Sequence, residues 1–201
     1  MQTFFYYLAT LVESALSLVG IRAAYEAPAY ALVRRLDGEV EIRDYAPRTV
    51  IETGTRGPGD AEAFRRLFRT ITGGNRGARL IAMTVPVEQA ERPAAPASPG
   101  TAGEGSMRFV LPRKVVAAGA PEPTDPQVRL VHLPPQRLAV LRFSGAADAR
   151  TRRVREEELL RSLAAAGLAP RGAPVLLSYD PPMTPPFLRR NEVAVEVASA
   201  P

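Results

Sequence analysis

The chain reads itself twice. Val40-Glu-Ile-Arg-Asp-Tyr-Ala-Pro47 aligns without a gap against Val128-Arg-Leu-Val-His-Leu-Pro-Pro135, an offset of 88 that holds from Val50 with Leu138 to Gly57 with Gly145. Each copy alternates as a strand, reaches a proline-marked turn, alternates again and stops at glycine. A helix pattern then follows in each half. Phe64, Leu67, Phe68 and Ile71 fall at i, i+3, i+4 and i+7, with Gly73-Gly74 as the stop. In the second half Leu159, Leu160 and Leu163 mark the helix, which Gly167 and Pro170 end. Further strands are predicted at Leu80–Val87 and Met107–Leu111, and again at Val175–Tyr179 and Glu192–Val197. The stretch Ala90–Ser106, rich in Ala, Pro, Gly and Ser, reads as a flexible hairpin loop. A lone half would leave a sheet face and its edges bare, so two halves are expected to share one sheet and one core. That predicts an α+β domain of two pseudo-symmetric halves over residues 25–201.

The segment before this domain, residues 1–24, is the most apolar in the chain. Thr10, Glu13, Ser14 and Ser17 form a narrow polar stripe opposite Phe4, Leu8, Leu11, Val12, Ala15 and Val19. This predicts an amphipathic helix. Three readings stay open: packing on the domain or a sister subunit, which allows a homo-oligomer; a membrane-surface anchor; or a cleaved signal lacking the usual basic start. Cytoplasmic and membrane-associated locations are both compatible with it.

Composition narrows the chemistry. There is no cysteine, which removes disulfides and thiolate chemistry, and His132 is the only histidine, which removes histidine-rich and bis-histidine metal sites. The net charge of +5 is carried almost wholly by arginine, because Lys114 is the only lysine. The arginines are interspersed with acids and lack stacking aromatics, so nucleic acid is not the expected partner. Gly73-Gly-Asn-Arg-Gly77 follows a helix rather than opening one, and is a helix stop rather than a phosphate cradle. Glu192 beside Arg189 and Arg190 reads as a strand-end salt bridge with no second carboxylate opposite.

The first helix is the candidate binding element. Its apolar residues Phe64, Leu67 and Phe68 are flanked by Arg65, Arg66 and Arg69. A flat apolar ligand with carboxylate arms suits such a surface, the rings covering its face and the guanidinium groups gripping its carboxylates. His132 is at most a single axial metal ligand, and otherwise a strand histidine.

Five phrases occur in order: Val40-Glu-Ile-Arg-Asp-Tyr-Ala-Pro47, Ile81-Ala-Met-Thr-Val-Pro-Val87, Met107-Arg-Phe-Val-Leu-Pro112, Pro121-Glu-Pro-Thr-Asp-Pro126 and Tyr179-Asp-Pro-Pro-Met-Thr-Pro-Pro-Phe-Leu-Arg-Arg-Asn-Glu-Val193. Together they resemble the SOUL haem-binding family. The resemblance implies a distorted antiparallel β-barrel of two βαββ repeats with helices packed outside. It also implies non-covalent binding of haem or a related tetrapyrrole rather than catalysis. Sensing of another apolar molecule and tetrapyrrole modification are the alternatives. Some members carry a haem-ligating histidine where this chain has Asp44. By comparison with members lacking it, Arg65, Arg66 and Arg69 are the expected propionate grips, with Phe64, Leu67 and Phe68 near the ring or beneath it.

Overall fold

The computed structural model describes residues 25–36, 39–56, 60–91 and 105–198. The expected N-terminal helix and the tip of the 90–106 loop lie outside them. Nine strands form one antiparallel sheet: β1 (Tyr30–Arg35), β2 (Val40–Tyr45), β3 (Arg48–Thr55), β4 (Val87–Glu91), β5 (Gly105–Val110), β6 (Val128–Leu133), β7 (Gln136–Phe143), β8 (Pro170–Ser178) and β9 (Asn191–Val197). Among the described residues three α-helices accompany them, α1 (Ala61–Ile71), the short α2 (Arg113–Ala117) and α3 (Ala149–Ala165), with one 3-10 turn at Pro186–Leu188. Across the sheet the order is β1-β2-β7-β9-β8-β4-β5-β3-β6. The two halves therefore interleave: β2 pairs with β7, and β3 pairs with β6.

The expected barrel does not close. β1 and β6 end the strand order. All six residues of β1 are exposed, and its register with β2 slips between Leu32 and Arg34. A bulge and outward arginines are common devices that keep an edge strand unpaired.

Alternation along the strands builds layers on both faces. On β7, Ala139, Leu141 and Phe143 meet Leu159 and Leu163 of α3, whereas Leu138 and Val140 join Tyr45, Leu177, Tyr179 and Ala194 in a separate cluster. Ile51 of β3 and Met107 and Phe109 of β5 receive α1 through Ala63, Leu67 and Ile71. α1 starts at Asp60, whose carboxylate accepts from the Glu62 and Ala63 amides. It stops at Thr72, just before Gly73, where φ is +114°. Among the described residues no helix is long and apolar enough to cross a membrane.

One expected strand is absent. Leu80–Pro86 forms no ladder, and β4 begins only at Val87. Its amides bond in different directions, Ile81 N–H to Ile71 O at 2.8 Å and Val85 N–H to Glu26 O at 3.0 Å, and Pro86 has no N–H to give. β4 and β5 instead extend into the predicted loop, pairing Ala90 with Ser106 and Glu91 with Gly105.

Candidate functional site

Helix α1 divides its predicted site residues between two environments. Leu67 is fully buried and can support a ligand only from beneath. Phe64 is 38% exposed, stacks on the half-buried Phe68 with centroids 6.1 Å apart, and meets Phe109 edge-on at 5.2 Å. Arg65 and Arg69 reach into solvent and share Glu62, at 3.5 and 3.2 Å. Exposed pairs of this kind contribute about 0–1 kcal/mol, so a ligand carboxylate can displace Glu62. Arg66 is turned the other way and donates to Thr53 Oγ1 at 2.7 Å. The face is thus a partly exposed aromatic surface with two guanidinium groups at its rim and a third beside it. Its donor set fits a flat, carboxylate-bearing molecule.

His132 lies elsewhere, on the edge strand β6, where its Nδ1 is 2.9 Å from Thr49 Oγ1. It stands at a cleft of about 340 Å³ whose walls include Ala29, Pro47, Leu111 and Val116. None of the α1 residues lines this cleft. Asp44 is engaged by Arg137, which donates from Nε and Nη2 at 2.6 and 2.7 Å. That hydrogen bond, with the arginine's charge, holds the Asp44 carboxyl below its ordinary value. Asp44 is therefore committed within the fold, and no histidine stands in its place.

The third feature is a buried charge cluster. Glu192 is wholly inaccessible and accepts from Arg43 Nη1 and Nη2 at 3.0 and 3.2 Å, from Arg190 Nη2 at 2.6 Å, and from Tyr179 Oη at 2.9 Å. Arg43 lies over the Tyr30 ring and Arg190 over Tyr179. Burial pushes the Glu192 carboxyl up, but the hydrogen bonds and charges of the two arginines outweigh it and hold the group below its ordinary value. Burial raises Tyr179 well above the usual phenol value. The expected strand-end bridge to Arg190 is present, whereas Arg189 instead donates to the carbonyls of Thr184 and Pro182. Among the described residues no group of three or more His, Asp or Glu is arranged to hold a metal ion.

A sequence model of the SOUL heme-binding proteins matches residues 25–196, which contain the α1 face, the cleft and the charge cluster. The chain belongs to the SOUL heme-binding protein family. No match to a curated protein was found. Among solved structures, this SOUL protein is similar to the C-terminal domain of EcmrR, with a TM-score of 0.56 at 9% identity over 80% of this chain and 98% of that one. A hydrolase from Listeria innocua gives 0.52 at 12% identity, covering 79% and 91%. An uncharacterized conserved protein from the same organism gives 0.51 at 11% identity, covering 87% and 93%. At these identities the likeness is one of fold, and fold does not dictate ligand.

Sequence reasoning missed the cleft, because its walls come from the segment before β1, the β2–β3 turn, β5, α2 and β6. It also missed Arg43 as the partner of Glu192, 149 residues away. One signal was available. The offset of 88 carries Asp44 onto His132 and Thr49 onto Arg137, and both Asp44–Arg137 and Thr49–His132 are cross-strand pairs.

Proposed function

We propose that this SOUL protein binds haem or a related tetrapyrrole non-covalently, for buffering, delivery or sensing, and that α1 presents the ring-binding face. The observation that carries the site is the pairing of a partly exposed Phe64 with the solvent-facing guanidinium groups of Arg65 and Arg69. Family membership supports the ligand class. Phe64 and Phe68 would lie against the macrocycle, Leu67 would back them from the core, Arg65 and Arg69 would meet the propionates, and Arg66, held by Thr53, would add its charge from beside them. The tetrapyrrole carries the chemistry; the chain supplies burial, orientation and positive charge.

Fluorescence titration with metal-free protoporphyrin IX tests this directly. Replacing Arg65, Arg66 and Arg69 together with alanine should weaken affinity about tenfold, since each charge-assisted contact contributes roughly 1.5–3 kcal/mol before solvent screening reduces it. The loss should shrink as salt rises. A triple variant that binds as tightly as the unmodified chain would remove α1 from the site.

We also propose that the two halves are repeats related by a pseudo-twofold axis, each with two strands before its long helix and two after it rather than the expected βαββ order. The strand order supports it: with β1 set aside, β2-β7-β9-β8 and β6-β3-β5-β4 run inward from opposite ends of the sheet, each strand matching its sequence counterpart. In a crystal structure the Cα traces of 40–111 and 128–197 should superpose strand for strand; halves that superpose only locally would refute the repeat.

A further inference from the structure

The α1 site leaves the chain's single imidazole unused. We propose a second, iron-selective site, in which His132 Nε2 ligates the iron of a haem seated at the cleft beside β6. The proposal rests on the tetrapyrrole reading and adds to it an axial ligand and a location.

Three observations carry it. The first is the state of the ring. His132 is exposed, while its partner Thr49 is only 4% exposed and holds Nδ1 at 2.9 Å. Metal-ligating histidines characteristically have the other ring nitrogen hydrogen-bonded, which fixes tautomer and orientation. With Thr49 accepting from Nδ1–H, Nε2 keeps the lone pair that a metal takes. Because β6 ends the sheet, no outer strand covers this residue among the described residues.

The second is the cleft itself. Its volume of about 340 Å³ is walled by Ala29, Pro47, Leu111 and Val116, apolar surface suited to a macrocycle edge. It sits at the small end of the roughly 300–1,000 Å³ range of ligand pockets, so part of a haem would stay at the surface. Such partial burial favours exchange over permanent retention, and an axial bond would then supply affinity that ring burial alone does not.

The third is charge. Arg48 lines the cleft with its side chain 9% exposed, and its ion pair to Glu88 is long, at 3.4 Å. Its buried Nη1 has no hydrogen-bond partner among the described residues. Arg113, also on the lining, is almost wholly in solvent and donates to Glu26 at 3.2 Å. Both put positive charge on the cleft lining, which also carries the Glu26 carboxylate. The counterpart position offers the opposite chemistry, since Asp44 is a carboxylate paired with Arg137.

The test uses the full chain and two probes, ferric haem and metal-free protoporphyrin IX. The unmodified chain with haem should show a histidine-ligated Soret band and, after reduction, an iron–imidazole stretch in resonance Raman. His132→Ala should lose both and bind haem about tenfold more weakly, yet bind protoporphyrin IX as before. Ala117→Trp, at an exposed position on the cleft lining, should also remove the histidine signature by filling the space. The triple arginine variant of α1 should retain that signature. A signature that survives His132→Ala or Ala117→Trp, or that disappears in the triple arginine variant, overturns the cleft site while tetrapyrrole binding stands. An unmodified chain that takes up neither probe overturns both readings.

Discussion

Glu192→Ala should destabilise the folded chain by about 3–5 kcal/mol, the cost typical of removing one partner from a buried ion pair. Glu192 is wholly buried and Arg43 only 3% exposed, so deleting the carboxylate leaves a guanidinium in the interior whose Nη2 has lost its Glu192 acceptor and whose Nη1 keeps only Tyr45 Oη, at 3.2 Å. Glu41 still holds Arg43 Nε at 2.8 Å, but it does not reach Nη1 or Nη2 in this arrangement. Tyr179 loses its acceptor at the same time. Glu192→Gln should cost less, because the amide oxygen can still accept from one arginine. Urea unfolding of the two variants measures both losses, and a Glu192→Ala loss below about 1 kcal/mol would mean that the cluster relaxes without penalty. Acid gives a second readout. The folded-state carboxyl is held below its ordinary value of 4.5, so its stabilising contribution is present above that value and is lost as pH falls through the depressed one. Glu52 acts in the same direction: burial raises its carboxyl, and Arg108 and Arg129 outweigh burial. The unmodified chain should therefore lose stability steeply in acid, with a shallower slope in Glu192→Gln.

What the sequence made legible was local periodicity; what it hid was pairing across the sheet. The spacing of Phe64, Leu67, Phe68 and Ile71 located the end of α1 to within a residue, since Ile71 ends the helix and Gly73 lies just beyond. The same spacing did not separate the core-facing residues from the ligand-facing ones. Leu67 and Ile71 point at Ile51 and Phe109, while Phe64 stops at the margin of that contact. For Leu80–Pro86 the alternation of Ile81, Met83 and Val85 was present, but those backbone groups bond to Ile71 and Glu26 instead of to a strand. Periodicity reports which side chains are buried and not where the amides go. Barrel closure depended on the edges, and the bulged, exposed β1 has no second partner among the described residues. The Glu192 cluster and the cleft depended on which distant segments become neighbours. The offset of 88 contained part of that information, since it carries Asp44 onto His132 and Thr49 onto Arg137, and these four residues form two cross-strand pairs.

Leu67→Ala and Phe64→Ala, only one helical turn apart, should fail in different ways. Leu67 is fully buried among Ile51, Ile71 and Phe109, and truncating it opens a cavity that α1 can close only by shifting against β3 and β5. Such losses run to about 2–5 kcal/mol. Phe64 already leaves 38% of its surface in water, so its removal forfeits the ring contacts with Phe68 and Phe109 and a smaller buried area. Aromatic pairs add about 0.5–1.5 kcal/mol beyond the area they bury, which keeps the expected loss below that of Leu67. Ligand binding should reverse the order. At a temperature where both variants are folded, Phe64→Ala should weaken protoporphyrin IX binding severalfold, whereas Leu67→Ala should bind nearly as well as the unmodified chain. Denaturant unfolding and porphyrin titration on the same two preparations separate the roles. If Leu67→Ala lost less stability than Phe64→Ala, the docking of α1 through Leu67 would be wrong. If Phe64→Ala kept full porphyrin affinity while Leu67→Ala lost it, the ligand would be held from inside the core rather than on the outer face of α1.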